Sequence, residues 1–342
     1  MPHPSIPSTP FTRRRKLDAN QYVDGVLAGD RATLGRAITL VESVRPEDES
    51  IAEKVLLQLL PHSGKALRLG ITGIPGAGKS TFIEALGKRL TAKGLKVAVL
   101  AVDPSSAVTG GSILGDKTRM VELSADPRAF IRPTPSSCAL GGVARKTRET
   151  MVLCEASGFD VVLVETVGVG QSETMVDDMV DFFLVLMVAG AGDELQGIKR
   201  GVLELADLIA VNKCDGDNVT KAELSRREYA TALHFMRPKH EGWVAKAVTC
   251  SAMSGAGLDD IWAAITAHHE ALTANGRLAE RRQQQLIRWM WSMIEERLLS
   301  AFRQHPGVSA LSGPLERAVA EGQVTAARAA MNLLESFGIK EA

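Results

Sequence analysis

Residues 73–81 read Gly73-Ile74-Pro75-Gly76-Ala77-Gly78-Lys79-Ser80-Thr81, which fits the pattern GxxxxGK[ST]. Glycines let a backbone wrap closely round an anion, so that successive N–H groups point inward. A helix beginning near Lys79 adds the positive end of its dipole. Gly76, Ala77, Gly78, Lys79, Ser80 and Thr81 are therefore candidates for cradling a phosphate chain. Lys79 would bridge the β- and γ-phosphates, and Ser80 would ligate Mg²⁺. The alternative, an ordinary glycine turn, does not require the lysine and the two hydroxyls.

Three further groups have the right chemistry to complete such a site. Asn212-Lys213-Cys214-Asp215 follows an apolar run, Leu208–Val211, and fits NKxD, the guanine-reading pattern of P-loop GTPases. A carboxylate at Asp215 can accept from both N1–H and the exocyclic amine of guanine, whereas adenine would leave it unpaired. Lys213 can lay its methylene stem along the ring. Cys250-Ser251-Ala252 follows the next apolar run, and Ser251 and Ala252 are expected in a loop whose backbone N–H contacts guanine O6. Glu165-Thr166-Val167-Gly168 ends another run. There Glu165 would hold Mg²⁺ through water, and Gly168 would donate its N–H to the γ-phosphate. Asp103 in Asp103-Pro104-Ser105-Ser106 is a candidate for the Mg²⁺ water shell or for orienting the attacking water. It also suits a plain N-cap or turn.

Positioning these groups requires strands that end where the motifs begin. Short apolar runs at Leu67–Thr72, Lys96–Val102, Phe130–Arg132, Asp160–Thr166, Phe182–Val188, Leu208–Asn212 and Ala247–Ser251 read as strands. Amphipathic stretches at Lys79–Ala92, Val143–Ala156, Ile198–Ala206, residues 218–236 and Leu258–Ala274 read as helices, with a further helix at 115–124. Alternating strands and helices imply an α/β fold with a mostly parallel sheet covered on both faces. Helical spacing also runs through residues 17–60 and through 277–305, 312–321 and 324–337. The expected organisation is a disordered tail (1–16), an N-terminal helical segment (17–64), a nucleotide-binding domain (65–275) and a C-terminal helical dimerisation arm (276–342). Leu286, Trp289, Met290, Met293, Ile294, Leu298 and Phe302 share one stripe of that arm, either core within the chain or a seam between two copies.

Composition excludes several classes. The chain has 342 residues, 45% hydrophobic and 23% charged, which is ordinary for a globular protein. Forty Lys+Arg balance forty Asp+Glu, so no global pull toward nucleic acid or anionic membrane exists. Aromatics at 4% leave few stacking platforms for single strands. No apolar run reaches the length of a membrane span. The four cysteines are far apart with no CxxC pair, which suits reduced thiols in the cytoplasm. Adjacent His268 and His269 would point to different sides of a helix and make a poor chelate. The Pro-rich, then basic N-terminus reads as a cytoplasmic tail rather than a presequence.

The segments GIPGAGKST, AVDPSS, VETVGVGQSE, GDELQGIKRG and NKCD occur in this order. Together they resemble the MeaB/MMAA/ArgK family of P-loop GTPases, its bacterial MeaB branch above all, and the glutamate in ExxG matches that family. The resemblance spans most of residues 20–340. It implies a SIMIBI-class fold akin to the metallochaperone GTPases, and a homodimer. It also implies an adenosylcobalamin-dependent acyl-CoA mutase, methylmalonyl-CoA mutase, as partner, with Mg²⁺ as cofactor and GTP and GDP as substrate and product. Such a chaperone gates cofactor loading and protects the mutase from inactivation. No DxHxxG segment occurs, so cobalamin itself is expected to stay with the mutase. The family's switch I falls on 104–119, with Arg119, and switch II on 166–177, with Gln171 and Glu173. A third segment, Gly190–Lys199, holds Asp193 and Glu194 between glycines. It suits either a moving loop or a tight connector. Lys199 is the favoured hydrolysis trigger; the alternative makes Lys199 and Arg200 solvated first-turn residues. A nickel-delivery GTPase is the competing reading, but it would need a His-rich tail or chelating Cys/His spacing.

Overall fold

The computed structural model describes residues 17–102, 120–133, 140–166, 172–190 and 200–339. The chain opens with helices α1 (Ala19–Leu27), α2 (Arg31–Glu42) and α3 (Pro46–Leu59). Strand β1 (Leu67–Gly73), helix α4 (Lys79–Ala92), strand β2 (Val97–Val102), helix α5 (Val121–Ala125) and strand β3 (Ala129–Pro133) follow. Next come α6 (Leu140–Ala156), β4 (Val161–Thr166), α7 (Ser172–Asp177), β5 (Phe182–Val188), α8 (Arg200–Leu205) and β6 (Leu208–Asn212). The α/β part closes with α9 (Val219–His234), β7 (Lys246–Thr249) and α10 (Leu258–Ala274), and α11 (Arg277–Gln304), α12 (Pro306–Ala320) and α13 (Ala326–Phe337) form the C-terminal end.

Among the described residues, the seven strands form one sheet in the order β3-β2-β4-β1-β5-β6-β7, and every pairing is parallel. The strand sequences VAVLAV, VVLVET and LIAVN are buried along their whole length, as a sheet covered on both faces requires. Pleating sorts their side chains. Val162 and Val164 enter one core with Leu34, Ile38, Val55 and Leu59 of the N-terminal helices. Leu163 enters the opposite core with Phe82, Leu86, Ile261 and Ile265 of α4 and α10. The N-terminal helices thus share a core with the sheet. Their starts are fixed locally: Asp18 accepts from Gln21 N at 2.9 Å while the Gln21 side chain accepts from Asp18 N at 3.1 Å, a reciprocal cap.

β1 lies between β4 and β5, the point where the chain's progress across the sheet reverses. In parallel α/β sheets a ligand crevice opens at the carboxyl ends of the strands at such a point. β1, β4, β6 and the loop after β7 carry the sequence motifs, so their C-terminal ends face one edge.

Two expectations change. The spacing put a helix at 312–321, but α12 starts at Pro306, because proline's fixed φ suits a first helical position. The stripe on α11 is only partly core within the chain: Trp289 lies under Arg148 and Phe302 packs against Phe337, whereas Leu286 is 52% exposed, Ile294 38% and Leu298 57%. Its apolar face turns away from the sheet, while Arg281, Arg282 and Gln285 face inward. No helix among the described residues is long and apolar enough to cross a membrane.

Candidate nucleotide site

The glycine loop begins at the end of β1. Gly73 has φ +154°, and a Cβ there would collide with the Leu186 carbonyl of neighbouring β5. Gly78 has φ +85°, and a Cβ on it would sit 2.9 Å from Asn212 Nδ2. Both positions therefore require glycine, by left-handed backbone and by close approach. Phe82 N donates to Gly78 O at 2.8 Å, starting α4, so the free N–H groups of its first turn face the loop. Lys79 folds back over the loop, donating to Gly73 O at 2.7 Å and Ile74 O at 3.4 Å. Burial lowers its pKa, opposed by the carboxylates of Glu165 and Glu173.

Ser80 Oγ donates to Glu165 Oε1 at 3.1 Å. Glu165 is buried at the end of β4. A hydroxyl and a carboxylate side by side are hard oxygen donors of the kind Mg²⁺ takes, and they stand at the mouth of the phosphate cradle. The next residue, Thr166, donates to Thr72 Oγ1 at 2.8 Å in full burial, tying the end of β4 to the end of β1.

The NKxD group sits at the end of β6. Asn212 is buried and faces the loop rather than solvent. Its amide donates to Ala77 O at 2.8 Å, and its Oδ1 accepts from Ala252 N at 3.0 Å. One side chain thus joins the glycine loop to the loop after β7. Sequence reasoning gave that second loop a backbone N–H for the base; the Ala252 N–H is engaged by Asn212. Lys213 is exposed with φ +59°, a left-handed conformation costly outside glycine and concentrated at functional positions. Asp215 is half-buried, and its carboxylate accepts from the Ser251 hydroxyl. Ser251 is fully buried and also accepts from Ser254 N at 3.1 Å. The Asp215 carboxylate is thereby held in one orientation by the protein itself.

The structure therefore brings together Gly76, Ala77, Gly78, Lys79, Ser80, Thr81, Glu165, Asn212, Lys213, Asp215, Ser251 and Ala252 along one edge. Asp103, Gly168 and Lys199 lie outside the described residues, as do Arg119, Gln171 and the acidic pair Asp193 and Glu194. Arg200 is the first residue of α8.

Sequence reasoning missed a second cluster. Asp207, His240 and His268 offer ligand atoms all within 4.8 Å of one another. Their numbers give no spacing signal, because each comes from a different element: the turn before β6, the segment between α9 and β7, and α10.

A family model described as methylmalonyl-CoA mutase-associated GTPase MeaB matches residues 34–307. A Caulobacter vibrioides protein described as a GTPase is 57% identical over 323 residues, covering 94% of this chain and 99% of its own. The GTPase ArgK of Escherichia coli is 56% identical over 272 residues, 80% of this chain and 82% of its own. A crystal structure titled LAO/AO transport system kinase superposes with a TM-score of 0.77 at 42% identity, covering 94% of this chain and 98% of that one. The parallel sheet, the glycine loop in its strand–loop–helix setting and these matches agree: the chain belongs to the MeaB family of P-loop GTPases.

Proposed function

We propose that this chain is a Mg²⁺-dependent GTPase that acts as a chaperone of an adenosylcobalamin-dependent acyl-CoA mutase, methylmalonyl-CoA mutase. The observation that carries the nucleotide part is the Asn212 side chain, which fixes a phosphate-type cradle and a base-reading loop in one frame. The backbone of Gly76–Thr81 and the Lys79 ammonium hold the phosphates. Asp215, oriented by Ser251, reads guanine, and Lys213 covers the ring. Ser80 and Glu165 hold Mg²⁺, with Asp103 in its water shell. Bound there, the ion neutralises charge on the β- and γ-phosphates. Gly168 meets the γ-phosphate.

The mutase part is supported by the family's description. In this reading the chain binds no cobalamin, and it gates loading of the cofactor into its partner. It works in the cytoplasm, without nucleic acid or membrane. The organisation is a GTPase domain (65–275) between an N-terminal helical segment (17–64) and a dimerisation arm (276–342), preceded by a tail (1–16). Two copies pair through the exposed apolar face of α11. Hydrolysis is slow in the free chain and speeds up when the mutase orders the segment ending at Lys199. A cation placed late against the transferring phosphoryl is worth about 10³–10⁵ in rate.

The test is multiple-turnover hydrolysis of GTP and ATP, alone and with the purified mutase, for wild type and Lys199→Ala. The reading expects GTP turnover that requires Mg²⁺, rises with mutase, and loses that rise in Lys199→Ala. Equal GTP and ATP turnover defeats the base assignment. No response to mutase defeats the chaperone assignment, and full stimulation of the variant removes Lys199 from it.

A further inference from the structure

The cluster at Asp207, His240 and His268 lies away from the nucleotide edge, at the amino end of β6. Asp207 is wholly buried and His268 is 1% exposed. One Asp207 oxygen, Oδ2, accepts from Phe183 N at 2.8 Å and from Lys239 Nζ at 3.1 Å. These bonds aim the other oxygen, Oδ1, at the two imidazoles. Oδ1 is 3.4 Å from His240 Nε2 and 4.0 Å from His268 Nε2. It has no hydrogen-bond partner, and neither does either ring nitrogen of His268. Buried polar atoms are nearly always satisfied, so two orphans facing one another, Asp207 Oδ1 and His268 Nε2, require an explanation.

We propose that Asp207, His240 and His268 form a binding site for one divalent transition-metal ion, with Zn²⁺ as the best match. Zn²⁺ bonds to nitrogen and carboxylate oxygen at about 2.0–2.2 Å in tetrahedral geometry, which sets neighbouring ligand atoms about 3.4 Å apart. The Oδ1–His240 spacing of 3.4 Å already meets this, while the Oδ1–His268 spacing of 4.0 Å has to close, as His268 moves inward on the ion. Two imidazoles and one carboxylate suit zinc, cobalt or nickel rather than magnesium or calcium. Phe183 N and Lys239 supply the outer hydrogen bonds that orient a ligating carboxylate. Phe182 and Trp243 pack edge-on against His268 at ring-centroid distances of 5.0 and 4.9 Å, fixing its plane. Burial pushes both imidazoles down to about 4, so both are neutral at pH 7 and no proton has to leave them. A cavity of about 290 Å³ opens beside His240 and offers a way in; its wall mixes the carboxylates of Asp177, Glu241 and Glu280 with the cations of Lys239, Arg277, Arg281 and Arg288.

Two cations oppose the ion: the Lys239 ammonium, held on Asp207 Oδ2 and Asp177 Oδ1, and Arg281. The Arg281 guanidinium contacts His240 Nε2, and it also pairs with Asp177 Oδ1 at 3.1 Å. Metal entry therefore requires Arg281 to withdraw from His240 onto Asp177, where a carboxylate already receives it. The fourth coordination position then faces the cavity and takes water.

The test is titration of the full-length, chelator-stripped chain with Co²⁺ alone, followed by Zn²⁺ displacement, with Mg²⁺ and GDP saturating throughout. The d–d absorption of a tetrahedral Co²⁺ site is the readout. The expected result is one equivalent bound and displaced by Zn²⁺. His240→Ala should weaken binding by at least about tenfold, and Arg281→Met should tighten it. His240 lies at the cavity wall, so its variant should keep its fold, which circular dichroism checks. Lack of saturable absorption at 100 µM protein (about the weakest useful affinity) overturns the proposal. So does unchanged affinity in folded His240→Ala. A sulfur-to-cobalt charge-transfer band would place the ion on the cysteines and also overturn it.

Discussion

In the proposed function Asp215 has a single carboxylate to satisfy two donors of guanine, and the Ser251 hydroxyl bonded to it fixes its direction. Asp215→Asn replaces an acceptor with an amide that can donate. The variant should lose GTP affinity by about 10⁴-fold, the scale on which a site built to hydrogen-bond a substrate group discriminates when that pairing is lost. It should gain xanthine nucleotides, whose C2 carbonyl accepts from the new amide. Calorimetry with GDP and XDP decides this; unchanged GDP affinity would remove Asp215 from the base pocket. At this scale much of the site was legible. A phosphate cradle needs glycines, a lysine and a hydroxyl at fixed spacing, and few other demands produce that set. The joining role of Asn212 was not legible, since the partners Ala77 and Ala252 are contacted through backbone atoms that leave no trace in residue type. The Asp207, His240 and His268 cluster escaped for another reason: its members meet only once the sheet has formed.

Among the elements, α11 is held by charges that its own sequence pattern does not explain. Arg282 grips Asp181 through two bonds, at 2.8 and 2.6 Å, and donates to Ala66 O at 2.7 Å. Gln285, almost fully buried, donates to Val180 O at 2.9 Å. Arg148 lies over the Trp289 ring at 5.6 Å, and burial lowers it to about 10. Desolvation alone would raise the Asp181 carboxyl; Arg282 and Arg68 beside it hold it below the usual range. A lowered carboxyl stabilises the fold above its unfolded pKa and loses that stabilisation as pH falls through the folded value. Arg282→Met leaves a buried carboxylate short of its partner and should cost about 3–5 kcal/mol at pH 7. In the variant the carboxyl rises, so protonation relieves the cost and the deficit should shrink toward pH 4. Urea unfolding at both pH values measures this, and a deficit that does not depend on pH would mean Asp181 is not the strained group. Helical periodicity located α11 to within a residue. It could not reveal that Arg281, Arg282 and Gln285 point inward, because their partners lie on strand ends and turns remote in sequence.

Across the whole molecule, α11 runs for 28 residues, about 42 Å of helix, and its first half alone is bound to the α/β body by these polar contacts. The side of α11 away from the sheet presents Leu286, Met290, Ile294 and Leu298 to solvent. A contiguous exposed apolar face marks an association surface. If two copies pair through this face as proposed, the unaltered chain should sediment as a dimer at micromolar concentration and Ile294→Glu with Leu298→Glu should give a folded monomer. A dimer that survives both charges would place the seam elsewhere. The sequence offered two readings of this stripe with equal force, because an apolar period shows that a face is covered without showing by what. The nearby presence of Arg282 and Gln285 on the other face decides which side meets the sheet.

The amide of Asn212 has one more effect. It spans the gap between the glycine loop and the loop after β7 with two hydrogen bonds of fixed length, so the two ends of the crevice cannot drift apart independently. Under the proposed function the protein thereby carries a gauge of set span, against which a nucleotide is measured by its length from ring to phosphate as well as by its ring. A molecule that is too short can touch one end or the other but cannot collect the binding energy of both.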